Sequence, residues 1–575
     1  MLKHSISREV FRFRNFSFAN MDRACKGCGV VFSIRGEDLV FYDKVSPVFS
    51  GKFFQVPPPT LCPVCRQQRR LAFRNERVFY RRACDLCKKE IISMYSKDKP
   101  FPVYCPVCWW SDVWDPLSYG KDYDFKKSFF EQFNGLLSVV PRLSMITRNC
   151  ENSDFATWIF HSRNAYLVAG GADNEDCLYG MFPTRSKDCV DFIMPRQCEL
   201  CYEVVECMDC YHVLFSQLCE GCSDCFFCYD CRSCKDCFGC AGLRRKQYCF
   251  FNEQLSETEY KRRMSQIVWT GENIQKYQLE LERVKNSVPK LYSNQTNSEN
   301  CFGNMIKDSK NSFYVFDVQD CEDCAYIADS TDAKDCYDIA HGGFNAELLY
   351  ECVSMISTKR SIGIVACWDN NESVFYCDHC FTCQNLFGCT GLRRKTYAIL
   401  NKQYSKEEYE DLVSRIIAQM ETAAMWGEFF PVSMSPFAYN ETVAFEYFPL
   451  AKDQVLAKGW SWKDEDVRDY QVQHVEIPER IQDVSDDVLK EVLTCSVCGR
   501  NYRFISQELV FYRKLGVPVP KKCFQCRHKA RMALREPRRL FERLCGNCGY
   551  QIQTCYPSER VEMVYCEKCY LAKAY

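Results

Sequence analysis

The chain has 575 residues, of which 43 are cysteine, and its formal net charge at pH 7 is −1. This length predicts about three or four domains, and a charge so near zero excludes a polycation that binds nucleic acid along its whole length. No apolar run approaches the ~20 residues of a membrane span, and the first residues lack the apolar core of a secretory signal. We therefore expect a cytoplasmic protein that has no membrane partner and keeps its thiols reduced.

Eight Cys-x2-Cys pairs lie near the two ends of the chain. They follow a predicted N-terminal arm at residues 1–20, unless Met21 is the true start. Four pairs fall in residues 21–112 and four in residues 491–575, and in both regions the last three pairs are separated by 18 and then 17 residues. The recurrence indicates a duplicated module of two sites. Its cysteines are Cys25, Cys28, Cys62, Cys65, Cys84, Cys87, Cys105 and Cys108 in the first copy, and Cys495, Cys498, Cys523, Cys526, Cys545, Cys548, Cys566 and Cys569 in the second.

Two Cys-x2-Cys turns together supply four thiolates, the ligand set of a closed structural zinc site with Zn–S distances of ~2.3 Å. In a chain that is not exported, this spacing indicates metal ligands rather than disulfides. Each predicted site has all four protein ligands, so none has the open position of a catalytic zinc. We predict four structural Zn²⁺ sites; the alternative is a set of reduced thiols without metal.

A basic segment lies between the two predicted sites of each module. Its arginines recur on one helical face, and such a face can hold phosphates through bidentate hydrogen bonds. The predicted nucleic-acid contacts are Arg66, Arg70, Arg74, Arg77, Arg527, Arg531 and Arg535. The alternative is a solvated face whose arginines pair with local acids or with the zinc thiolates.

Beyond a connector at residues 113–148, the middle of the chain contains two copies of one unit, at residues 149–296 and 297–425. Residues 238–267 align with residues 387–416 without a gap and are identical at 16 of 30 positions. Such a duplication indicates a repeat architecture.

Each unit ends in a predicted helix that opens with a capping box, Ser256-x-x-Glu259 in the first and Ser405-x-x-Glu408 in the second. We expect the first helix to reach about residue 286. A second connector, at residues 426–490, follows the second unit.

Within the first unit, small or apolar residues recur every twelve positions. These positions are Ala165, Cys177, Cys189, Cys201, Val213, Cys225, Cys237 and Cys249. Several of the cysteines follow an aspartate, as in Asp176 and Asp236. Short strands at a fixed spacing predict a β-solenoid, in which stacked coils share one core.

The two units differ in which cysteines they retain. Cys225 and Cys237 correspond to Val374 and Leu386, and we interpret such thiols as small hydrophobic side chains in a core. Another set is cysteine in both units and could bind two further metals or iron–sulfur clusters, or could form a second core column. This set consists of Cys228, Cys231, Cys234, Cys240, Cys377, Cys380, Cys383 and Cys389.

Three segments of the C-terminal module are Cys495-Ser-Val-Cys-Gly-Arg-Asn-Tyr-Arg-Phe, Gln507-Glu-Leu-Val-Phe-Tyr-Arg-Lys and Pro520-Lys-Lys-Cys-Phe-Gln-Cys-Arg-His-Lys. Together they resemble a small bacterial zinc-binding domain of zinc-ribbon or treble-clef type. The whole chain is similar to large cysteine-rich bacterial zinc-ribbon proteins of unknown function, through segments such as Trp109-Trp-Ser-Asp-Val-Trp-Asp-Pro. With this resemblance, the predicted fold is mixed and mainly β: two tandem solenoid-like units with helical ends, flanked by duplicated zinc-ribbon or treble-clef modules.

No nucleophile elbow, zinc-protease helix, P-loop or dinucleotide fingerprint occurs in the chain. We therefore predict a non-enzymatic zinc-binding scaffold that interacts with nucleic acid or protein. The alternative is a redox enzyme, based on iron–sulfur or thiol chemistry, or a carbohydrate-active enzyme on the central units. Whether the protein has a small-molecule substrate is unknown from the sequence.

Overall fold

The computed structural model of the protein describes residues 20–194, 198, 201–205, 213–218, 221, 223–339, 341–342, 346–354, 356–465 and 469–574. Within these residues it contains twelve α-helices and 36 β-strands, which confirms the mixed class. Helices and strands take up similar shares of the chain, so the protein is mixed α/β rather than mainly β. The predicted arm at residues 1–20 lies outside the described residues, except for its last residue. Among the described residues, no helix combines the length and the apolar character needed to cross a membrane.

The N-terminal module is built from three antiparallel hairpins, of which the shortest spans residues 48–53, and three helices. Its elements are β1 (Met21–Ala24), β2 (Val31–Ile34), α1 (Gly36–Val45), β3 (Val48–Phe49), β4 (Lys52–Phe53), α2 (Pro63–Leu71), β5 (Tyr80–Ala83), β6 (Glu90–Ser93), β7 (Val103–Tyr104) and α3 (Pro106–Trp110). β1 pairs with β2, and β5 pairs with β6. A 3-10 turn at Pro116–Tyr119 and helix α4 (Phe129–Leu137) lead toward the middle of the chain.

The first central unit consists of short parallel strands. Its elements are β8 (Arg142–Leu143), β9 (Thr147–Arg148), β10 (Thr157–Phe160), β11 (Ala169–Ala172), β12 (Glu175–Leu178), β13 (Lys187–Ile193), β14 (Cys201–Val205), β15 (Cys225–Phe226), β16 (Lys235–Phe238), β17 (Gln247–Phe250), β18 (Glu253–Gln254), α5 (Glu257–Ser265) and α6 (Gly271–Ser287). Cys177 pairs with Cys189, and Cys225 pairs with Cys237, which pairs in turn with Cys249. The predicted twelve-residue period is therefore the register of the parallel strands, and we call each twelve-residue step a rung.

The second unit repeats this arrangement with small irregularities. Its elements are β19 (Lys290–Leu291), β20 (Gln295–Thr296), β21 (Phe302–Lys307), β22 (Phe313–Glu322), β23 (Ala328–Lys334), β24 (Cys336–Tyr337), β25 (Leu349–Tyr350), β26 (Ile356–Lys359), β27 (Ser361–Ile362), β28 (Trp368–Phe375), β29 (Gln384–Phe387), β30 (Thr396–Ile399), β31 (Lys402–Gln403) and α7 (Lys406–Thr422). Most paired residues are again twelve apart, but Cys336 pairs with Leu349, thirteen residues later. Such one-residue insertions change the phase of the sequence pattern without ending the parallel pairing.

Inside the rungs, the buried side chains recur at every third residue. In the first unit they include Ala156, Ile159, Ala165, Val168, Cys177, Cys189, Phe192, Cys198, Val213, Cys225, Cys228, Cys231, Cys234, Cys237, Cys240 and Cys249. The residue before an inward position commonly has a positive φ, as at Asp176 (52°), Asp188 (53°) and Asp236 (47°). Aspartate and asparagine adopt this left-handed conformation more readily than most residues, which explains the aspartates that precede the cysteines.

The helices that end the units begin where the capping boxes predict. The side chains of Ser256 and Ser405 each accept a hydrogen bond from the backbone N–H three residues later, at 3.2 Å. The first helix does not continue to residue 286, because the chain ends α5 at Ser265 and starts α6 anew. Thr270 caps this new helix by accepting from the N–H of Asn273 at 3.3 Å.

The C-terminal module repeats the hairpin and helix order of the N-terminal one. The connector before it contains α8 (Val443–Tyr447), α9 (Lys452–Ala457) and four 3-10 turns, at Val432–Met434, Tyr439–Glu441, Ile481–Asp483 and Asp486–Leu489. The module comprises β32 (Leu493–Thr494), β33 (Asn501–Tyr502), α10 (Ser506–Leu515), α11 (Phe524–Ala533), β34 (Phe541–Leu544), β35 (Gln551–Thr554), β36 (Val564–Tyr565) and α12 (Glu567–Ala574).

The modules pack crosswise on the central units. Phe41 of α1 stacks on Tyr337 of the second unit with ring centroids 3.7 Å apart, whereas Tyr512 of α10 meets Tyr202 of the first unit at 5.4 Å. In addition, β7 pairs with β8, which leads into the first unit, and β36 pairs with β19, which leads into the second. Each module therefore contacts one central unit and pairs with the strand that leads into the other.

Candidate metal centres

Four groups of four cysteines come together in the structure. They are the four predicted quartets: Cys25, Cys28, Cys62 and Cys65; Cys84, Cys87, Cys105 and Cys108; Cys495, Cys498, Cys523 and Cys526; and Cys545, Cys548, Cys566 and Cys569. Within each quartet, all sulfur atoms lie within 4.8 Å of one another. The predicted ligand pairing is thus reproduced at all four sites.

The first Cys-x2-Cys pair of each quartet lies in the tight turn of a hairpin. The residue four positions after the first cysteine donates its N–H back to that cysteine's carbonyl at 2.9–3.0 Å. It also has a positive φ: 75° at Gly29, 71° at Gly499 and 70° at Gly549. Glycine takes this conformation without steric cost, and Lys88 takes it in the second quartet (64°).

The second pair of each quartet lies at the start of a helix. Cys62, Cys105 and Cys523 are the N-cap residues of α2, α3 and α11, and Cys566 directly precedes α12. Free N–H groups and the helix dipole at this end favour negative charge, so the helix start stabilises a thiolate.

The sulfur separations suit a bound metal ion. Tetrahedral ligands at ~2.3 Å from zinc lie ~3.8 Å from one another. The observed Sγ–Sγ distances are 3.8 Å for Cys28–Cys62, 3.9 Å for Cys87–Cys105, 3.7 Å for Cys498–Cys523 and 3.7 Å for Cys548–Cys566. One sulfur pair in each site thus has the spacing of a tetrahedral zinc site, and the other sulfurs of the quartet lie within 4.8 Å.

Backbone N–H groups point at the sulfurs in the same way at all four sites. The third cysteine donates its N–H to the sulfur of the first: Cys62 to Cys25 at 3.2 Å, Cys105 to Cys84 at 3.3 Å, Cys523 to Cys495 at 3.2 Å, and Cys566 to Cys545 at 3.3 Å. Burial opposes ionisation of Cys495 and Cys545, but these donors and others in the same turn outweigh it and lower the pKa of both thiols to about 6. Such a donor set fits a metal ion that binds thiolates.

The structure corrects the prediction that the arginines of the N-terminal module form a nucleic-acid surface. Arg66 and Arg70 are each 1% exposed, and both contact the carboxylate of Asp338, at 2.9 Å in each case. Arg74 and Arg77 are also buried, the first beside a glutamate two residues later and the second against a glutamate of α8. Guanidinium groups that are enclosed in this way cannot reach a phosphate backbone.

The arginines of the C-terminal module are enclosed as well. Arg527 and Arg531 both contact Asp191 at 2.8 Å, and Arg527 also contacts Glu508 at 3.0 Å. Arg535 lies 2.8 Å from a carboxylate of the second unit. The arginines thus pair with acids, but these acids are distant in sequence and the face is buried, which differs from the solvated face with local acids of the alternative prediction.

The two arginine clusters use equivalent residues of the two units. Asp191 and Asp338 are 147 positions apart, and so are Tyr179 and Tyr326. The guanidinium carbon of Arg527 lies 4.8 Å from the ring centre of Tyr179, and that of Arg66 lies 4.8 Å from the ring centre of Tyr326. Each tyrosine hydroxyl also donates to a carboxylate at 2.7 Å, Glu508 in one module and the matching Asp38 in the other. The internal duplication contained this signal, but sequence reasoning missed it because the aspartates lie outside the cysteine motifs.

The eight central cysteines predicted as further metal ligands all lie inside the rungs. At most 2% of each residue is exposed for Cys228, Cys231, Cys234, Cys240, Cys377, Cys380, Cys383 and Cys389. Their thiols donate to backbone carbonyls; Cys231, for example, donates to Tyr229 at 3.5 Å and to Cys240 at 3.4 Å. Among the described residues they belong to no group as tight as the terminal quartets. The core-column alternative agrees with this burial, and a metal there stays a prediction.

Comparison with known proteins finds no matching family model, no matching curated protein and no matching solved structure. The resemblance to bacterial zinc-ribbon proteins therefore stays a prediction.

Proposed function

We propose that this protein is a non-enzymatic scaffold in which four structural zinc ions hold two modules against a central repeat body. The observation that carries the proposal is the set of four complete thiol quartets, placed on modules whose arginine helices are buried against the repeat units.

Zinc is the proposed ion because of the ligand set. Four thiolates around one ion are typical of structural Zn²⁺ sites, which have no open position for substrate or water. A bound zinc ion would connect the hairpin turn to the helix start at each site, and this connection would stabilise the folded module.

The location of the first and third quartets supports a structural role. Cys65 lies directly before Arg66 in α2, and Cys526 lies directly before Arg527 in α11. An ion bound there fixes the helix that inserts its arginines against Asp338 or Asp191. Metal binding is thereby coupled to the docking of a module on its unit.

We further propose that the central units are β-solenoids and that the metal modules are of treble-clef type. Parallel pairing at a twelve-residue step and inward residues at every third position support the first point. The order of hairpin turn, hairpin and helix start around each quartet supports the second. The cytoplasmic location is part of the same proposal, because thiolate sites need reduced cysteines.

The proposed partner of the scaffold is a protein. The seven arginines predicted to contact nucleic acid are used inside the molecule, so we propose no nucleic-acid role for them. The alternative of a redox or carbohydrate-active enzyme stays a prediction.

Metal analysis of the purified full chain tests the proposal. We expect four zinc ions per chain and no iron. Cys495→Ser/Cys498→Ser should reduce the zinc content to three, whereas Cys150→Ser, outside the quartets, should retain four. A well-folded chain that holds fewer than four metal ions, or that holds iron in the quartets, would contradict the proposal.

A further inference from the structure

Six cysteines of the first unit lie together in two consecutive rungs. They are Cys225, Cys228, Cys231, Cys234, Cys237 and Cys240, and each is at most 2% exposed. Because inward positions recur every third residue, the first four fill all inward positions of one twelve-residue rung. The other two open the next rung, where Cys237 pairs with Cys225. Thiols therefore surround the interior of the unit at this level.

The six thiols belong to one cluster of buried side chains. They donate hydrogen bonds to backbone carbonyls, several of them nine residues later: Cys225 donates to Cys234 at 3.6 Å and Cys228 donates to Cys237 at 3.6 Å. Neighbouring thiols also influence one another's pKa. The sulfur atoms thus lie side by side in the core, although they are spread more widely than those of the terminal quartets.

The second unit shows that packing alone does not require all six thiols. Val374 and Leu386 occupy the positions of Cys225 and Cys237, with the same parallel pairing between the two strands. Both residues are fully buried, and both have larger side chains than cysteine. The second unit therefore keeps a densely packed core at this level with hydrocarbon in place of two of the thiols.

We propose that these six thiols bind Cu(I) as a buried thiolate cluster. Thiolates are soft ligands that favour Cu(I), together with Zn²⁺ and iron–sulfur clusters, over harder metal ions. Several monovalent ions shared among several sulfurs suit a wide cluster, whereas a single Zn²⁺ ion suits a compact quartet. Each thiol that becomes a ligand releases its proton, so uptake requires reduced thiols and no oxidant. The surrounding core residues exclude water and oxygen from the bound ions.

Copper uptake by the zinc-loaded full chain tests this proposal. The reduced protein is mixed under anaerobic conditions with Cu(I) buffered by bathocuproine disulfonate, and copper and zinc are measured after gel filtration. Because the cluster is buried, a second sample is refolded from denaturant with Cu(I) and zinc both present. We expect copper to be retained together with all four zinc ions, with the red luminescence of shielded Cu(I) thiolates.

The second unit supplies the matched variants. Cys225→Val/Cys237→Leu introduces the residues that the second unit carries, and it should remove at least half of the bound copper while zinc content and circular dichroism are unchanged. Cys377→Val/Cys389→Leu, in the second unit, should retain the copper. The proposal is overturned if neither sample holds copper unless zinc is displaced, or if the Cys225→Val/Cys237→Leu variant holds as much copper as the parent chain.

Discussion

Each module docks on a central unit through buried arginines, and the two docked pairs, which we call the two halves of the molecule, differ in their charge arrangements. One half is the N-terminal module with the second unit, and the other is the C-terminal module with the first unit. In one half, Arg66 and Arg70 share the single carboxylate of Asp338. In the other, Arg527 and Arg531 share Asp191, and Arg527 also reaches Glu508. Asp38, which matches Glu508, pairs with Arg35 instead. Glu351 contacts Arg69 and acts electrostatically on Arg66 and Arg70.

The two modules also differ in the length of one segment. The segment between the first two cysteine pairs is 33 residues long in the N-terminal module and 24 residues long in the C-terminal one. The extra length contains the hairpin β3–β4, whereas the shorter copy ends α10 at Gly516 in the left-handed conformation, with φ 68°. The comparison teaches that both modules keep the metal sites and the docking carboxylates, while the segment between the first two cysteine pairs can change in length.

Metal removal should have the largest effect on both halves. Structural zinc sites contribute on the order of 10 kcal/mol to the folding of small domains, and here each of the two docking helices starts at a quartet. We expect a strong chelator to make α2 and α11 susceptible to proteolysis and to lower the midpoint of thermal unfolding. As a control, added Zn²⁺ should restore the protease resistance of the chelated chain. Unchanged protease resistance after chelation would argue against a coupling between metal binding and module docking.

Removal of the shared carboxylate should distinguish the two halves. Asparagine keeps the left-handed backbone of Asp338 (φ 66°) and Asp191 (φ 57°), so Asp338→Asn and Asp191→Asn change mainly the charge. Loss of one partner from a buried ion pair destabilises a protein by about 3–5 kcal/mol. We expect Asp338→Asn to be the more damaging, because Arg527 retains its contact with Glu508, whereas Arg66 and Arg70 lose the carboxylate that both of them contact. If denaturant unfolding shows the same loss of unfolding free energy for both variants, Glu508 does not compensate for the loss of the Asp191 carboxylate.

A third comparison concerns the strands that lead into the units, where Lys290 takes the place of Arg142. Burial and, to a smaller extent, the nearby Lys285 lower the pKa of Lys290 to about 8. By contrast, Asp378 raises the pKa of Arg142 despite the desolvation that opposes it. Between pH 8 and the unfolded value near 10.4, the unfolded chain binds more protons at Lys290 than the folded chain does.

The stability of the parent should therefore rise with pH in this window, relative to Lys290→Met, which does not titrate there. Unfolding curves of both proteins at pH 7.5, 9 and 10.5 measure this difference. The advantage of methionine at the lowest pH should shrink toward the highest, and a difference that does not change with pH would mean that Lys290 titrates normally.

The smallest effect is expected inside the rungs. Cys249 of the first unit corresponds to Ala398 of the second, and both are buried. If the thiol acts as a small hydrophobic side chain, Cys249→Ala should change the free energy of unfolding by less than about 1.5 kcal/mol and leave the zinc content at four. A larger loss, or loss of metal, would give this thiol a role that its counterpart lacks.

The sequence by itself determined the metal-site cysteines, the duplication and the twelve-residue step. These features are local: Cys-x2-Cys fixes two sulfurs in one turn, and a strand step fixes the register of its neighbour. The sequence also contains the finer three-residue period, since cysteines stand at every third position from Cys225 to Cys240. Only the twelve-residue period was predicted from it.

Only the tertiary structure decided where the arginines point and which module meets which unit. A stripe of arginines on a helix has the same pattern whether it faces water, phosphate or a buried carboxylate. Asp338 is 268 residues from Arg70, and Asp191 is 340 residues from Arg531. Long-range packing brings these charges together out of water, so the buried pairing can be recognised only once the fold is known.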